Sequence, residues 1–474
     1  MGSGQRYEIL DGRLLRGVAR FGLPLSVGMA LHSLFNVVDM VIVGHLAEGG
    51  RALGVLALAD LLSMLATVVA MGMSNAAVAV ISRKVGEGDR QRATEACWRS
   101  LTLLAGIGIM LGLAAVLLAR PVIVAMGAQG WLRDEATQYL RVIMGGTVTA
   151  FVLVHATSAL RAAGHSYTPT LLLFGANSLN LLLAVLFVYG PDRSAPALLS
   201  WGPPVAEALG IPRMGVVGAA WATVVARGVA CVPAVLLLGR DFSLPRLRTA
   251  LPNAMESRQL ASIAWPSSAQ YAVRVAGSLV LLSVVGHAFT SAEDSSALSA
   301  MGVCVRLDTI ALFIALGWGS AAATFVGQNL GAGQFERATR SGWYAAFISA
   351  GALLAIGVLF MVFSGQVTGL FTPDETVGPV SQRYLLIVGP SYAALGLAAA
   401  LSCALAGAGE TLVSLRIDAA VLFGFQTPLL LLLAGLFGLP LAGCFALVSA
   451  ANFVSAGLYA FAFSRGRWQH RRVR

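Results

Sequence analysis

Met71-Gly-Met-Ser-Asn-Ala-Ala-Val-Ala-Val-Ile-Ser-Arg-Lys-Val-Gly-Glu-Gly-Asp-Arg-Gln-Arg-Ala-Thr94 is written twice in this chain. Laid over Leu316-Gly-Trp-Gly-Ser-Ala-Ala-Ala-Thr-Phe-Val-Gly-Gln-Asn-Leu-Gly-Ala-Gly-Gln-Phe-Glu-Arg-Ala-Thr339, at an offset of 245, it keeps eight identical positions. They include the glycine pairs 86/331 and 88/333 and the closing Arg-Ala-Thr. The same offset returns where Ala159-Leu-Arg-Ala-Ala-Gly164 lies over Ala404-Leu-Ala-Gly-Ala-Gly409. Composition alone does not place two matches at one offset, so the chain reads as two related halves. Their expected limits are 1–239 and 259–474, joined by the Pro/Arg-rich linker 240–258.

Both copies lie in strongly apolar surroundings. Of the 474 residues 57% are hydrophobic and 11% charged, with a mean hydropathy of +0.79. A soluble surface needs roughly twice that charge, so the chain reads as a polytopic membrane protein. Twelve stretches are long enough to cross about 30 Å of hydrocarbon. They fall near 18–45, 53–82, 95–119, 136–162, 167–190, 214–239, 259–289, 298–327, 340–363, 382–406, 412–436 and 440–464. The expected fold is therefore all-α, with two six-helix bundles. Six is even, so the halves share one orientation and form a parallel repeat, an architecture of secondary transporters.

Charge distribution orients the chain. With both termini inside, the inner segments hold 22 of the 32 basic residues, the outer loops seven, and three (Arg227, Arg274, Arg306) fall within spans. That bias places both ends in the cytoplasm. The same dispersal argues against nucleic acid as a partner despite the net charge of +10, because no basic stripe forms. The five cysteines sit in apolar segments without CxxC or His/Cys spacing, so neither disulfides nor a metal are expected. The N-terminus lacks the features of a removable signal peptide.

Span 1 carries the most informative polar set. His32, Asn36 and Asp39 stand at i, i+4 and i+7, one face of a helix. A carboxylate at bilayer depth costs about 2.5–3.5 kcal/mol on insertion scales and calls for a role. Pro24, about four turns earlier than Asp39, removes a helix hydrogen bond and permits a bend.

These residues resemble the multidrug and toxic compound extrusion (MATE) transporters. Pro24 with Val38-Asp39 and Val43-Gly44 is similar to that family's opening helix. Leu160-Arg-Ala-Ala-Gly-His-Ser-Tyr-Thr-Pro169 after span 4 is similar too, as is Val326-Gly-Gln-Asn-Leu-Gly-Ala-Gly333 with Arg337-Ala338 after span 8. Asp39 and Arg306-Leu-Asp308 look most like the DinF-like subgroup, whose members are thought to couple efflux to protons. The resemblance implies cation-coupled antiport of small organic compounds, drugs or metabolites, without a cofactor. The expected transporter is a monomer among the lipids of the cell (inner) membrane, coupled to H+ in preference to Na+.

The resemblance makes Asp39 the ion-coupling residue, a carboxylate that takes and releases a proton as the cavity changes its access to water. Asn36 and Asn180 are its expected partners. Where the DinF-like pattern has an aspartate in span 5, this chain has Ala184. Pro24 is the expected hinge, and His32, Asn177, Gln270, Arg274, Arg306 and Asp308 are expected to line the cavity. Arg274 stands eight residues after Pro266, where many NorM-like members carry a glutamate, and an arginine there does not bind sodium. Aligning the two prolines, at an offset of 242, sets Arg274 opposite His32. Asp308 is the expected partner of Arg274 or Arg306, and Asp418 is expected at the membrane interface near the end of span 11. Intramembrane arginines also suit a second class, a flippase for lipid-linked saccharides. An enzyme is disfavoured, since the six histidines make no ligand spacing and no nucleophile has an evident base. No Walker A motif supports primary active transport.

Overall fold

Backbone N–H and C=O groups in hydrocarbon must find partners within the chain, and the described residues do so with helices alone. The computed structural model describes residues 9–470 apart from 47–48, 193–194, 244–249, 252, 292–293, 371–375, 437 and 439; at 34–39, 49, 198, 433 and 435–436 it describes backbone only. The twelve spans are span 1 (Leu14–Gly44), span 2 (Gly49–Glu87), span 3 (Arg90–Ala125), span 4 (Gly130–Gly145 with Thr147–Ala162), span 5 (Tyr167–Tyr189) and span 6 (Gly215–Phe242). They continue as span 7 (Ala254–Ala288), span 8 (Ser296–Gly331), span 9 (Phe335–Val362), span 10 (Val377–Gly407), span 11 (Thr411–Leu430) and span 12 (Leu441–Ser464). Among the described residues eleven are continuous stretches of membrane-crossing length and composition, span 10 passing through a 3₁₀ turn at Gly389–Ser391, and span 4 is a pair bent by 40° at its Gly145-Gly146 break. Span 11 is wound as a π-helix over Ala420–Gln426, directly after Asp418.

The repeated stretch forms the ends of spans 2 and 8, which meet near the axis relating the halves. Its glycines explain why it is preserved. A Cβ on Gly86 would stand 2.0 Å from the carbonyl oxygen of Gln328, and one on Gly331 would stand 2.0 Å from that of Arg83. Residues 83 and 328 are themselves 245 apart, so the two contacts are reciprocal. A second reciprocal pair sets Gly72 against Ser268 and Gly317 against Ser26. Backbones that approach so closely leave no room for a side chain.

Around this seam the halves are joined by hydrogen bonds. Ser26 Oγ donates to the Ile314 carbonyl (3.0 Å), Asn75 Nδ2 to Ser267 Oγ (3.2 Å), and Gln328 Nε2 to the Ala162 carbonyl (2.7 Å). Arg337 reaches the carbonyls of Ile9 (3.1 Å) and Gly12 (2.7 Å). Val18, Phe21 and Leu25 of span 1 pack with Ala321, Phe325 and Val326 of span 8 in one apolar cluster. These hydrogen bonds, with those of Asn75 to Tyr271, Thr324 to the Arg161 carbonyl and Arg99 to Glu256, lie between mid-span and the end that carries the termini. The halves are sealed at that end.

Candidate functional site

Span 7 carries Pro266, Gln270 and Arg274 at four-residue steps, so one face presents all three. Two turns into span 11, Asp418 meets that face. Arg274 Nε donates to Asp418 Oδ2 at 2.7 Å, and Gln270 Nε2 lies 2.9 Å from the same oxygen. Tyr459 of span 12 donates its hydroxyl to Asp418 Oδ1 at 2.7 Å. Gln270 is also 2.8 Å from Ser402 Oγ. The Asp418 carboxylate is thus held by three donors and only 8% exposed, while the Arg274 side chain keeps 26%. The remaining lone pairs of Asp418 are thus bonded, which offsets part of the cost of burying its charge.

The exposed part of Arg274 faces a cavity of about 250 Å³ bounded by spans 7, 8, 10, 11 and 12. On another wall stands Asp308, whose Oδ2 accepts from the Tyr384 hydroxyl (2.5 Å) and whose Oδ1 accepts from Tyr392 (2.6 Å). The two tyrosines flank the 3₁₀ turn Gly389–Ser391 in span 10. Asp308 has no cationic partner among the described residues. Leu312, Leu395, Val421 and Leu422 give the rest of the wall an apolar character.

The first six spans hold a counterpart. His32 Nδ1 lies 3.2 Å from Asn177 Oδ1, an arrangement that needs the hydrogen on Nδ1. The buried Nδ2 of Asn177 has no hydrogen-bond partner among the described residues. Thr223 Oγ1 donates to Asn180 Oδ1 at 3.0 Å, and the Arg227 charge, one turn further along span 6, acts on His32. Pro24 lies inside span 1, and its carbonyl accepts from Thr170 Oγ1 at 3.1 Å. Ala184 is fully packed. The side chains of Asn36 and Asp39 lie outside the described residues.

Two expectations are corrected. Asp308 pairs with neither Arg274 nor Arg306; tyrosines hold it, and Asp418 takes Arg274. Asp418 is not interfacial but buried in the cavity wall. Its place was legible in the repeat: Thr170 precedes Asn177 by seven residues, and Thr411 precedes Asp418 by seven. Both threonines bind a span 1 or span 7 carbonyl, Thr411 reaching Ile263 at 2.8 Å. The first and fifth spans of each half therefore meet through matching polar pairs, His32 with Asn177 and Arg274 with Asp418. Arg306 is not part of the wall of this 250 Å³ cavity. It is exposed, on the face of span 8 shared with Phe313, whose ring lies 5.7 Å from that of His32. The sequence reading did not single out Tyr384, Tyr392, Tyr459 or Ser402, because a hydroxyl in an apolar span carries no signal of its partner. Among the described residues no three His, Cys, Asp or Glu side chains could together hold a metal ion.

The MatE family model matches this chain twice, at residues 24–186 and 266–432, so the matched segments start at the two prolines and are 242 residues apart. The chain belongs to the MATE family. A probable multidrug resistance protein of Bacillus subtilis, YpnP, is 25% identical over 468 residues, covering 98% of both chains. An FAD transporter of Shewanella oneidensis is 24% identical over 430 residues, covering 90% of this chain and 89% of its own. Among solved structures, an outward-facing multidrug resistance MATE transporter superposes with a TM-score of 0.86 at 22% identity, over 97% of this chain and 98% of its own. The protein is thus a multi-pass membrane transporter of the multidrug efflux type, and not an enzyme. MATE transporters move small organic substrates and couple to cations, and the sealed, two-half geometry fits alternating access.

Proposed function

We propose that this MATE-family chain is a proton-coupled antiporter that expels small organic compounds from the cytoplasm across the cell (inner) membrane, working as a monomer with both termini inside. The reading rests chiefly on Asp308, a carboxylate at span depth that is held by two neutral hydroxyls, has no cationic partner among the described residues and faces a cavity. A charge left uncompensated there invites a cation that binds and leaves as the cavity opens and closes. Asp39, in the first half, is the second coupling carboxylate on this reading, with Asn36 and Asn180 as its proposed partners. The pairing of Arg274 with Asp418 favours H+ over Na+, since it places a fixed cation on the span 7 face. The seal at the terminal end then corresponds to an outward-open state. Asp39 and Arg306-Leu-Asp308 align the chain with the DinF-like members.

The test is substrate-driven proton exchange in proteoliposomes, with a proton or a sodium gradient imposed alone. Asp39→Asn is expected to abolish exchange while the protein keeps its melting temperature. Wild-type exchange in that variant removes Asp39 from the mechanism, and exchange driven by sodium alone removes the proton.

A further inference from the structure

An arginine that serves only to neutralise a buried aspartate has its best geometry when the two planar groups face each other and share two parallel hydrogen bonds. Arg274 is arranged otherwise. It uses Nε alone on Asp418, and Asp418 fills its other positions from Gln270 and Tyr459. The guanidinium carries five N–H groups. The four on its terminal nitrogens make no hydrogen bond among the described residues, and its exposed surface opens on the 250 Å³ cavity. The aspartate is saturated; the arginine is not.

We propose that the cavity of the last six spans binds the carboxylate or phosphate group of an amphipathic organic molecule on the terminal nitrogens of Arg274. The planar fork matches either anion with two parallel hydrogen bonds. Asp418 holds Arg274 in place from behind, so the fork is oriented before the ligand arrives. Leu312, Leu395, Val421 and Leu422 receive the apolar part. The cavity is slightly smaller than the roughly 300–1,000 Å³ of typical small-molecule sites, so it takes one end of a drug-sized molecule and leaves the remainder outside. Asp308, on another wall, disfavours a second anion and admits a zwitterion whose cationic group faces it. The π-helical turn of span 11 begins two residues after Asp418 and supplies Val421, Leu422 and Gln426 to the wall, a winding that recurs at functional sites. The inference rests on the efflux reading only in taking this cavity as a place where cargo is held.

The test uses the full chain in phosphatidylcholine nanodiscs and three fluorescent probes that differ in one group: dansylglycine, its neutral amide, and the cationic dansylcadaverine. Wild type is expected to bind dansylglycine about tenfold or more tighter than the amide, the range of a hydrogen bond to a charged group. Arg274→Gln is expected to lose that preference and keep amide binding. Because this variant leaves Asp418 buried and unpaired, the double variant Arg274→Gln with Asp418→Asn carries the same test in a charge-balanced site, its folding checked by thermal melting. Equal binding of the three probes by wild type, a preference for the cation, failure to bind dansylglycine at all, or a preserved preference in the double variant each overturns the proposal. Adding phosphatidylglycerol to the discs separates the two sources of such an anion. Displacement of dansylglycine from wild type marks a lipid headgroup as occupant, and no displacement marks a free organic anion. A protein that binds dansylglycine through Arg274 but does not move it along an ion gradient refutes the efflux reading and leaves this site standing.

Discussion

Gly331→Ala tests whether the close seam between spans 2 and 8 is what holds the terminal end shut. Alanine there would place Cβ 2.0 Å from the Arg83 carbonyl oxygen and 2.9 Å from the Glu87 amide nitrogen. Both obstacles are backbone, so no rotamer change relieves them. Ordinary contact begins at 3.4 Å, and the helices must part by the difference, 1.4 Å. Overpacking of this size costs about 1–3 kcal/mol, a factor of roughly 5 to 150 in an equilibrium. Alternating access requires the seam to open in the opposite state, so the cost falls on the sealed state and shifts the population toward the other. Hydrogen exchange in nanodiscs is the assay, read over residues 80–90 and 328–338, and both segments are expected to lose protection together. Gly351→Ala in span 9 is the control, because its Cβ would meet nothing within 4 Å and alanine favours the helix by about 1 kcal/mol. Unchanged protection in Gly331→Ala, or equal loss in Gly351→Ala, would refute the idea that this contact sets the conformational balance.

Two further outcomes follow from the cavity of the last six spans. Asp418→Ala strands the Arg274 charge and is expected to lower stability by about 3–5 kcal/mol, whereas the neutral pair Arg274→Gln with Asp418→Asn recovers most of that; thermal melting of the single and double variants reads the difference, and additive losses would show that the two residues do not act as a pair. Tyr384→Phe removes one of the two hydroxyls on Asp308 and is expected to cost about 1–3 kcal/mol and to shift the pH midpoint of substrate-driven exchange. A midpoint identical to wild type would mean that Asp308 takes no part in coupling.

The architecture was legible because it depends on features that sequence carries directly. Span number follows from the length of apolar runs, and the repeat at offset 245 follows from glycines that backbone contact preserves. The polar pairing was not legible to the same degree. Asp418 lies two turns into its span, and a charge so near a helix end reads as wetted until its partner is known. Asp308 and Arg274 are 34 residues apart in adjacent spans, which made them natural partners on paper. In the fold, the 3₁₀ break at Gly389–Ser391 lets Tyr384 and Tyr392 close on Asp308 from either side of the turn. No periodicity in span 10 announces that convergence. The seven-residue spacing from threonine to Asn177 and to Asp418 did hold the answer for Arg274, but only with the two halves aligned helix by helix.

That alignment also indicates how the halves have diverged. The slot between first and fifth spans holds His32 and Asn177 in one half and Arg274 and Asp418 in the other. Arginine stays charged at any physiological pH, so the second slot keeps its cation in every state of the cycle. The partner of His32 is a neutral amide, so the first slot holds a hydrogen bond where the second holds an ion pair. A duplicated scaffold has thus kept one polar crossing point per half and given it two electrostatic characters, a histidine–amide hydrogen bond in one and an arginine–aspartate ion pair in the other.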